Sequence, residues 1–131
     1  MATIFSRIIA GEIPCYKIAE NNKFFAFLDI NPLSKGHTLV VPKAEEDYIF
    51  NLNDALLGDM MIFAKKIALA LDKSIECKRI GITVIGLEVP HAHIHLIPIN
   101  EENDMNFQRP KLIISSEEMN IIAASIREKL G

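Results

Sequence analysis

Residues 91–99 read HAHIHLIPI and hold three of the four histidines. In an extended strand, side chains alternate between the two faces. His91, His93 and His95 therefore point one way, and Ala92, Ile94 and Leu96 the other. The apolar side calls for a helix or second layer packed on it. Three stacked imidazoles make a poor core, so their side must be wet, liganded or reactive.

The remaining pattern supplies the rest of a sheet. TIFSRIIAGE carries Ile4, Phe5, Ile8 and Ile9 on one side of a short helix that Gly11 can end. CYKIAE and FFAFLD flank NNK, a hairpin signature, and NPLSKG is a second turn leading to the strand HTLVVP. Residues 54–73 read as the main helix, with Leu56, Leu57, Met60, Phe63, Ala64, Ile67 and Leu71 at helical spacing. RIGITVIG and HAHIHLIPI are two further strands, and the stretch from Asn100 to Pro110 is polar and looped. Ser115 and Glu118 form a capping box before a last helix striped by Met119, Ile122, Ala123, Ile126 and Leu130. The order is helix, three strands, helix, two strands, helix. Short turns make the first three strands antiparallel. The fold class is α+β: one antiparallel sheet of about five strands, with a main helix and a C-terminal helix, in a single domain over residues 1–131.

Three readings of the histidine face compete. It can be incidental to a half-buried strand. It can bind a metal, with two alternating imidazoles and a third ligand from elsewhere. However, three same-face positions spread their Cα atoms over about 13 Å, so a shared ion needs strand curvature and long reach. Finally, the middle imidazole can be a nucleophile. A neutral histidine attacks phosphorus and carries it covalently, while flanking donors stabilise the phosphate oxygens or the leaving group. Neighbouring imidazoles disfavour each other's protonation, which keeps at least one neutral near pH 7.

Composition narrows the partners. A formal net charge of -3 is not the footprint of a nucleic-acid binder. No apolar run reaches the roughly 18 residues of a membrane span. Arg7 and Glu12 interrupt the N-terminal apolar stretch, so it lacks the continuous apolar core expected of a signal peptide. Cys15 and Cys77 form no C-x-x-C pair, so the expected location is a reducing cytoplasm.

HAHIHLI resembles the signature of the histidine triad (HIT) family, His-φ-His-φ-His-φ-φ with Ala92 as a small φ. The similarity extends to IFSRIIAGEIP, AFLDINP and GHTLVVPK, which occur in the family's order across residues 3–98. It implies a nucleotide hydrolase or transferase, of a small bacterial type, working through a nucleotidyl-histidine intermediate without metal or cofactor. His93 then matches the nucleophile, His95 the donor to phosphate or leaving group, and His91 the residue that orients the nucleophile. His37 matches a fourth histidine behind the triad, and Asp29 the acid that bonds the ribose hydroxyls. Ile4, Phe5, Ile8, Ile13, Phe27, Leu28 and Ile30 match positions around base and sugar, and Glu88 and Val89 lie on the approach to the triad. The resemblance also implies a purine nucleotide substrate and a homodimer.

Two departures stand out. Some relatives carry a structural zinc on a C-x-x-C pair, a histidine after PK and the first triad histidine; the matching positions here are Thr3, Ser6 and Glu45. Relatives also often have Gln four positions before the first triad histidine, Ser or Thr three before, and an Asn further upstream. Here the first two are Leu87 and Glu88, and residues 78–90 contain no Asn. Leu87 argues against dinucleoside polyphosphate hydrolysis. Glu88 fits a cationic leaving group, such as the amine of a phosphoramidate, or else simply points to solvent. The expected function is hydrolysis of a purine nucleoside 5′-phosphoramidate. A nucleotide-binding protein of little turnover acting through a protein partner, a metal-binding protein and a dinucleoside polyphosphate hydrolase are the alternatives.

Overall fold

Turn chemistry sets the sheet. A computed structural model describes residues 2–130. Strand β1 (Lys17–Glu20) and strand β2 (Phe24–Leu28) pair antiparallel across Asn21. The Asn21 side-chain oxygen accepts from the N–H groups of Lys23 and Phe24 at 2.9 and 2.8 Å, which closes the turn. β2 pairs with β3 (Thr38–Pro42), β3 with β5 (Ile94–Ile99), and β5 with β4 (Arg79–Thr83), all antiparallel, in the order β1-β2-β3-β5-β4. Gly36 makes the turn before β3 possible. Its φ is 92°, and a Cβ there would lie 2.9 Å from the Ile75 side chain.

Helix α1 (Ile4–Ile9) covers one face of the sheet, while α2 (Asp54–Ser74) and α3 (Ser116–Glu128) cover the other. Period two therefore divides β2. Phe24, Ala26 and Leu28 join Met60, Phe63, Ile67 and Ile126 in the main core, whereas Phe25 and Phe27 join Phe5, Ile8, Leu39 and Val41 beneath α1. β2 and β3 are buried along their whole length because both of their faces are covered. Asn53 caps α2 by accepting from Leu56 N–H at 2.8 Å.

The α+β architecture and the element order agree with the sequence reading; three boundaries differ. The last strand begins at Ile94, not His91. Beyond the Val40–Ile94 pair β3 runs into Pro42, and the Pro42 carbonyl is taken by an imidazole rather than by a strand neighbour. Residues 91–93 are held instead by Ala92 N–H to Glu46 O at 2.7 Å and by His91 N–H to Val89 O at 2.8 Å across Pro90. The fourth strand ends at Thr83, and the chain turns at Gly86, whose φ is 76°. The expected capping box at α3 is half made: Ser115 accepts from Glu118 N–H, but the Glu118 carboxylate pairs with Lys35.

Candidate functional site

Register gathers the site on the α1 side of the sheet. Phe27 lies opposite Leu39, and Leu39 opposite His95. Two residues on from Phe27 is Asp29, and two residues before Leu39 is His37, so all share one face. Asp29 N–H donates to His37 O at 2.9 Å, continuing the β2–β3 ladder by one rung. Residues 91–93 keep the alternation although they lie outside the ladder. Ala92 packs in the main core with Ile94, and His91 and His93 turn toward α1. All four histidines are buried.

The hydrogen bonds fix the tautomers. The Leu33 N–H donates to His37 Nδ1 at 3.0 Å, so the His37 proton sits on Nε2. That Nε2–H donates to His95 Nδ1 at 3.0 Å, which leaves His95 with its proton on Nε2. His93 Nδ1 lies 2.8 Å from His91 O, and a carbonyl only accepts, so Nδ1 carries the proton and Nε2 keeps a free lone pair. His91 Nε2–H donates to Pro42 O at 2.7 Å, and His91 Nδ1 accepts from the Thr3 hydroxyl at 2.6 Å. A nucleophilic nitrogen on His93 thus stands beside an N–H donor on His95, their ring centroids 4.9 Å apart.

Burial favours the neutral form of His37, His93 and His95. Burial first, then the neighbouring His95, Lys111 and His93, pull His37 down to about 3. Burial and His93 pull His95 down to about 4. Burial also lowers His93, opposed by its bond to His91 O and by the Glu88 carboxylate. Asp29 is raised by burial, against the Asn31 N–H that it accepts and the Lys111 charge.

Of the residues expected around a nucleotide, Phe5, Ile8 and Phe27 are buried in one cluster, with Ile13 and Val89 packed against it. The Phe5 ring meets His93 edge-on at 5.0 Å. Ile4 and Ile30 are exposed on the rim, 49% and 69% accessible. Leu28 does not join them. Its side chain faces α2 and α3 in the main core, because it is one residue out of phase with Phe27 and Asp29. Glu88 is exposed, yet its charge reaches both His93 and Asp29.

Sequence reasoning missed two contributors. Phe107, from the polar loop after β5, lies edge-on to His95 at 4.9 Å and to His37 at 6.2 Å. Leu112 N–H to Pro32 O at 2.9 Å ties that loop to the turn beside Asp29. A lone aromatic in a polar segment was the only signal. The other is Thr3, whose cap position was legible only as the residue before an apolar run.

Asp29, His37 and His95 bring one ligand atom each within 4.8 Å of one another. They do not make a cation site with these hydrogen bonds. His37 Nδ1 already accepts a backbone N–H, so ligation through Nε2 would require an imidazolate.

The chain is similar to several known proteins. An adenosine 5′-monophosphoramidase of Schizosaccharomyces pombe is 36% identical over 132 residues, covering 99% of both chains. A HIT-like protein from Bartonella henselae superposes with a TM-score of 0.83 at 29% identity, over 97% of this chain and 95% of that one. A zinc-bound histidine triad protein from Mycobacterium smegmatis superposes with a TM-score of 0.82 at 25% identity, over 99% and 94%. The positions matched to a structural zinc do not fit one here. The Thr3 hydroxyl accepts from Ser6 N–H and bonds His91, the Ser6 hydroxyl accepts from Thr3 N–H, Glu45 is exposed, and both His91 nitrogens are engaged. The model of the HIT domain matches residues 10–102, which contain the whole sheet and all four histidines, and the chain belongs to the HIT domain family.

Proposed function

We propose that the protein hydrolyses a purine nucleoside 5′-phosphoramidate, or a closely related nucleotide adduct, through a nucleotidyl-His93 intermediate. The observation that carries this reading is the pair formed by the His93 Nε2 lone pair and the His95 Nε2–H, each set by a bond at the ring's other nitrogen. His93 Nε2 attacks the α-phosphorus and the phosphorus–nitrogen bond to the amine breaks. The imidazole becomes positively charged, and its Nδ1–H bond to His91 O strengthens as it does. His95 Nε2–H donates to a phosphate oxygen, where negative charge builds up. Water then displaces the nucleotide from His93. The amine nitrogen takes a proton from solvent as it departs, and the incoming water releases one to solvent as it displaces the nucleotide, so the site ends as it began.

Asp29 accepts from the ribose hydroxyls, and the cluster of Phe5, Ile8, Ile13, Phe27 and Val89, rimmed by Ile4 and Ile30, gives the base an apolar wall. The similarity to the S. pombe phosphoramidase supports the substrate class. A homodimer is part of the same reading. β4 leaves one edge unpaired, and a groove of about 630 Å³ beside it is lined by Tyr48, Phe50, Met61, Ile82, Val84 and Ile85. A second copy with the same apolar edge is a self-complementary occupant.

The test is incubation of the pure protein with adenosine 5′-phosphoramidate, with and without chelator, beside His93→Ala. Release of AMP that survives chelation and is lost in the variant is expected. Binding without turnover, or turnover that needs metal, refutes the reading.

A further inference from the structure

Thr3 caps a helix of six residues, yet its hydroxyl does more than hold the first turn of α1. It accepts from Ser6 N–H at 3.0 Å, and Ser6 Oγ accepts from Thr3 N–H at 2.7 Å and donates to Thr3 O at 3.0 Å. Of the two acceptors in reach of the Thr3 hydroxyl proton, His91 Nδ1 at 2.6 Å is far closer than Ser6 Oγ at 3.4 Å, so the proton goes to His91. His91 is fully buried, and its other nitrogen donates to Pro42 O. The ring is gripped at both ends, by the helix on one side and by the end of β3 on the other. The next bond along is the one that matters for chemistry, from His93 Nδ1–H to the backbone carbonyl of that same His91.

We infer that Thr3 is a positioning residue for the nucleophile: through His91 it holds the carbonyl that keeps the His93 proton on Nδ1 and the attacking lone pair on Nε2. Residues 91–93 lie outside the sheet ladder, so no strand neighbour fixes that carbonyl. The clamp on the His91 ring takes over the task. Without the Thr3 proton, a buried Nδ1 is left unsatisfied, and a ring that must find another donor shifts its backbone or its tautomer. His93 then loses its fixed acceptor and populates the Nε2–H tautomer, which cannot attack.

This rests on His93 as nucleophile, and the experiment separates the two ideas. Thr3→Val removes the hydroxyl at nearly constant shape, Thr3→Ser keeps it, and Thr3→Gly keeps an acceptable helix cap with no side chain to give a proton. Steady-state kinetics with adenosine 5′-phosphoramidate should give Thr3→Val a kcat lower by about tenfold to a hundredfold, the scale of one to two hydrogen bonds, with KM within about twofold. Thr3→Ser should recover to within about threefold of the parent. Nitrogen-15 NMR of the imidazoles, which needs no turnover, should show His93 with its proton on Nδ1 in the parent and in Thr3→Ser, and mixed tautomers in Thr3→Val and Thr3→Gly. If Thr3→Val is too unstable to assay, Thr3→Gly decides. Unchanged His93 tautomers in both, or equal losses in Thr3→Val and Thr3→Ser, overturn the inference. A parent protein with the expected tautomers but no AMP release would instead count against the substrate assignment.

Discussion

Acidification should destabilise this protein steeply well above the carboxylate range, because its site buries neutral imidazoles. His37 and His95 are pulled from the ordinary 6.5 to about 3 and about 4 in the folded chain. Between those values and 6.5 the unfolded chain binds protons that the native one refuses, so stability falls as pH falls. Their contribution is fully present above pH 6.5 and is lost progressively toward the folded values. Over the step from pH 6 to pH 5, each group accounts for about 1.2 kcal/mol, and the pair for about 2.4 kcal/mol. His93 adds in the same direction. Asp29, whose carboxyl is raised, acts in the opposite sense, nearer its ordinary 3.8. The assay is urea denaturation at fixed protein concentration at pH 7, 6, 5.5 and 5. The control is the double variant His37→Asn, His95→Asn, whose amides do not titrate. The parent should lose at least about 2 kcal/mol between pH 6 and 5, and the double variant most of that dependence. A flat profile in the parent, or the same slope in both proteins, would show that these rings are not held neutral by burial and would refute the reasoning.

Two further predictions concern residues at the margins of the site. Phe107→Ala should admit water to His95 and His37, raising both toward the ordinary imidazole value. The acid limb of the pH–rate profile for AMP release should move up by about one unit, with Phe107→Leu close to the parent; an unmoved limb would make Phe107 a bystander. Glu88→Ser should narrow the preference for substrates with a cationic amine leaving group over uncharged ones by about twofold to fivefold, the reach of an exposed charge, and an unchanged ratio would return Glu88 to the role of a solvated side chain.

The fold was legible because its signals are local. The Asn21 turn, the Asn53 cap and the 3.6-residue stripe of α2 are each written in a few neighbouring residues. The face of each site residue was also legible wherever period two holds, as for Phe27, Asp29, His37 and His95. Leu28 shows the limit of transferring a motif residue by residue: a block of sequence matches as a whole, but alternate positions within it serve opposite faces. The extent of the last strand was not legible, because what ends it is Pro42 on another strand and an imidazole bonded to its carbonyl. Phe107 and the second role of Thr3 depend on contacts between segments about 12 and 88 residues apart in sequence, with no periodicity to announce them.

The central claim is that His93 Nε2 becomes covalently bonded to the nucleotide. Rapid mixing of enzyme with adenosine 5′-phosphoramidate, quenching within the first turnover and peptide mass spectrometry test it directly. The account predicts an AMP adduct on the peptide containing His93, present at early times in the parent, depleted as AMP appears, and missing in His93→Ala. An adduct on another residue, or AMP released in the first turnover with no adduct at any time, would contradict it.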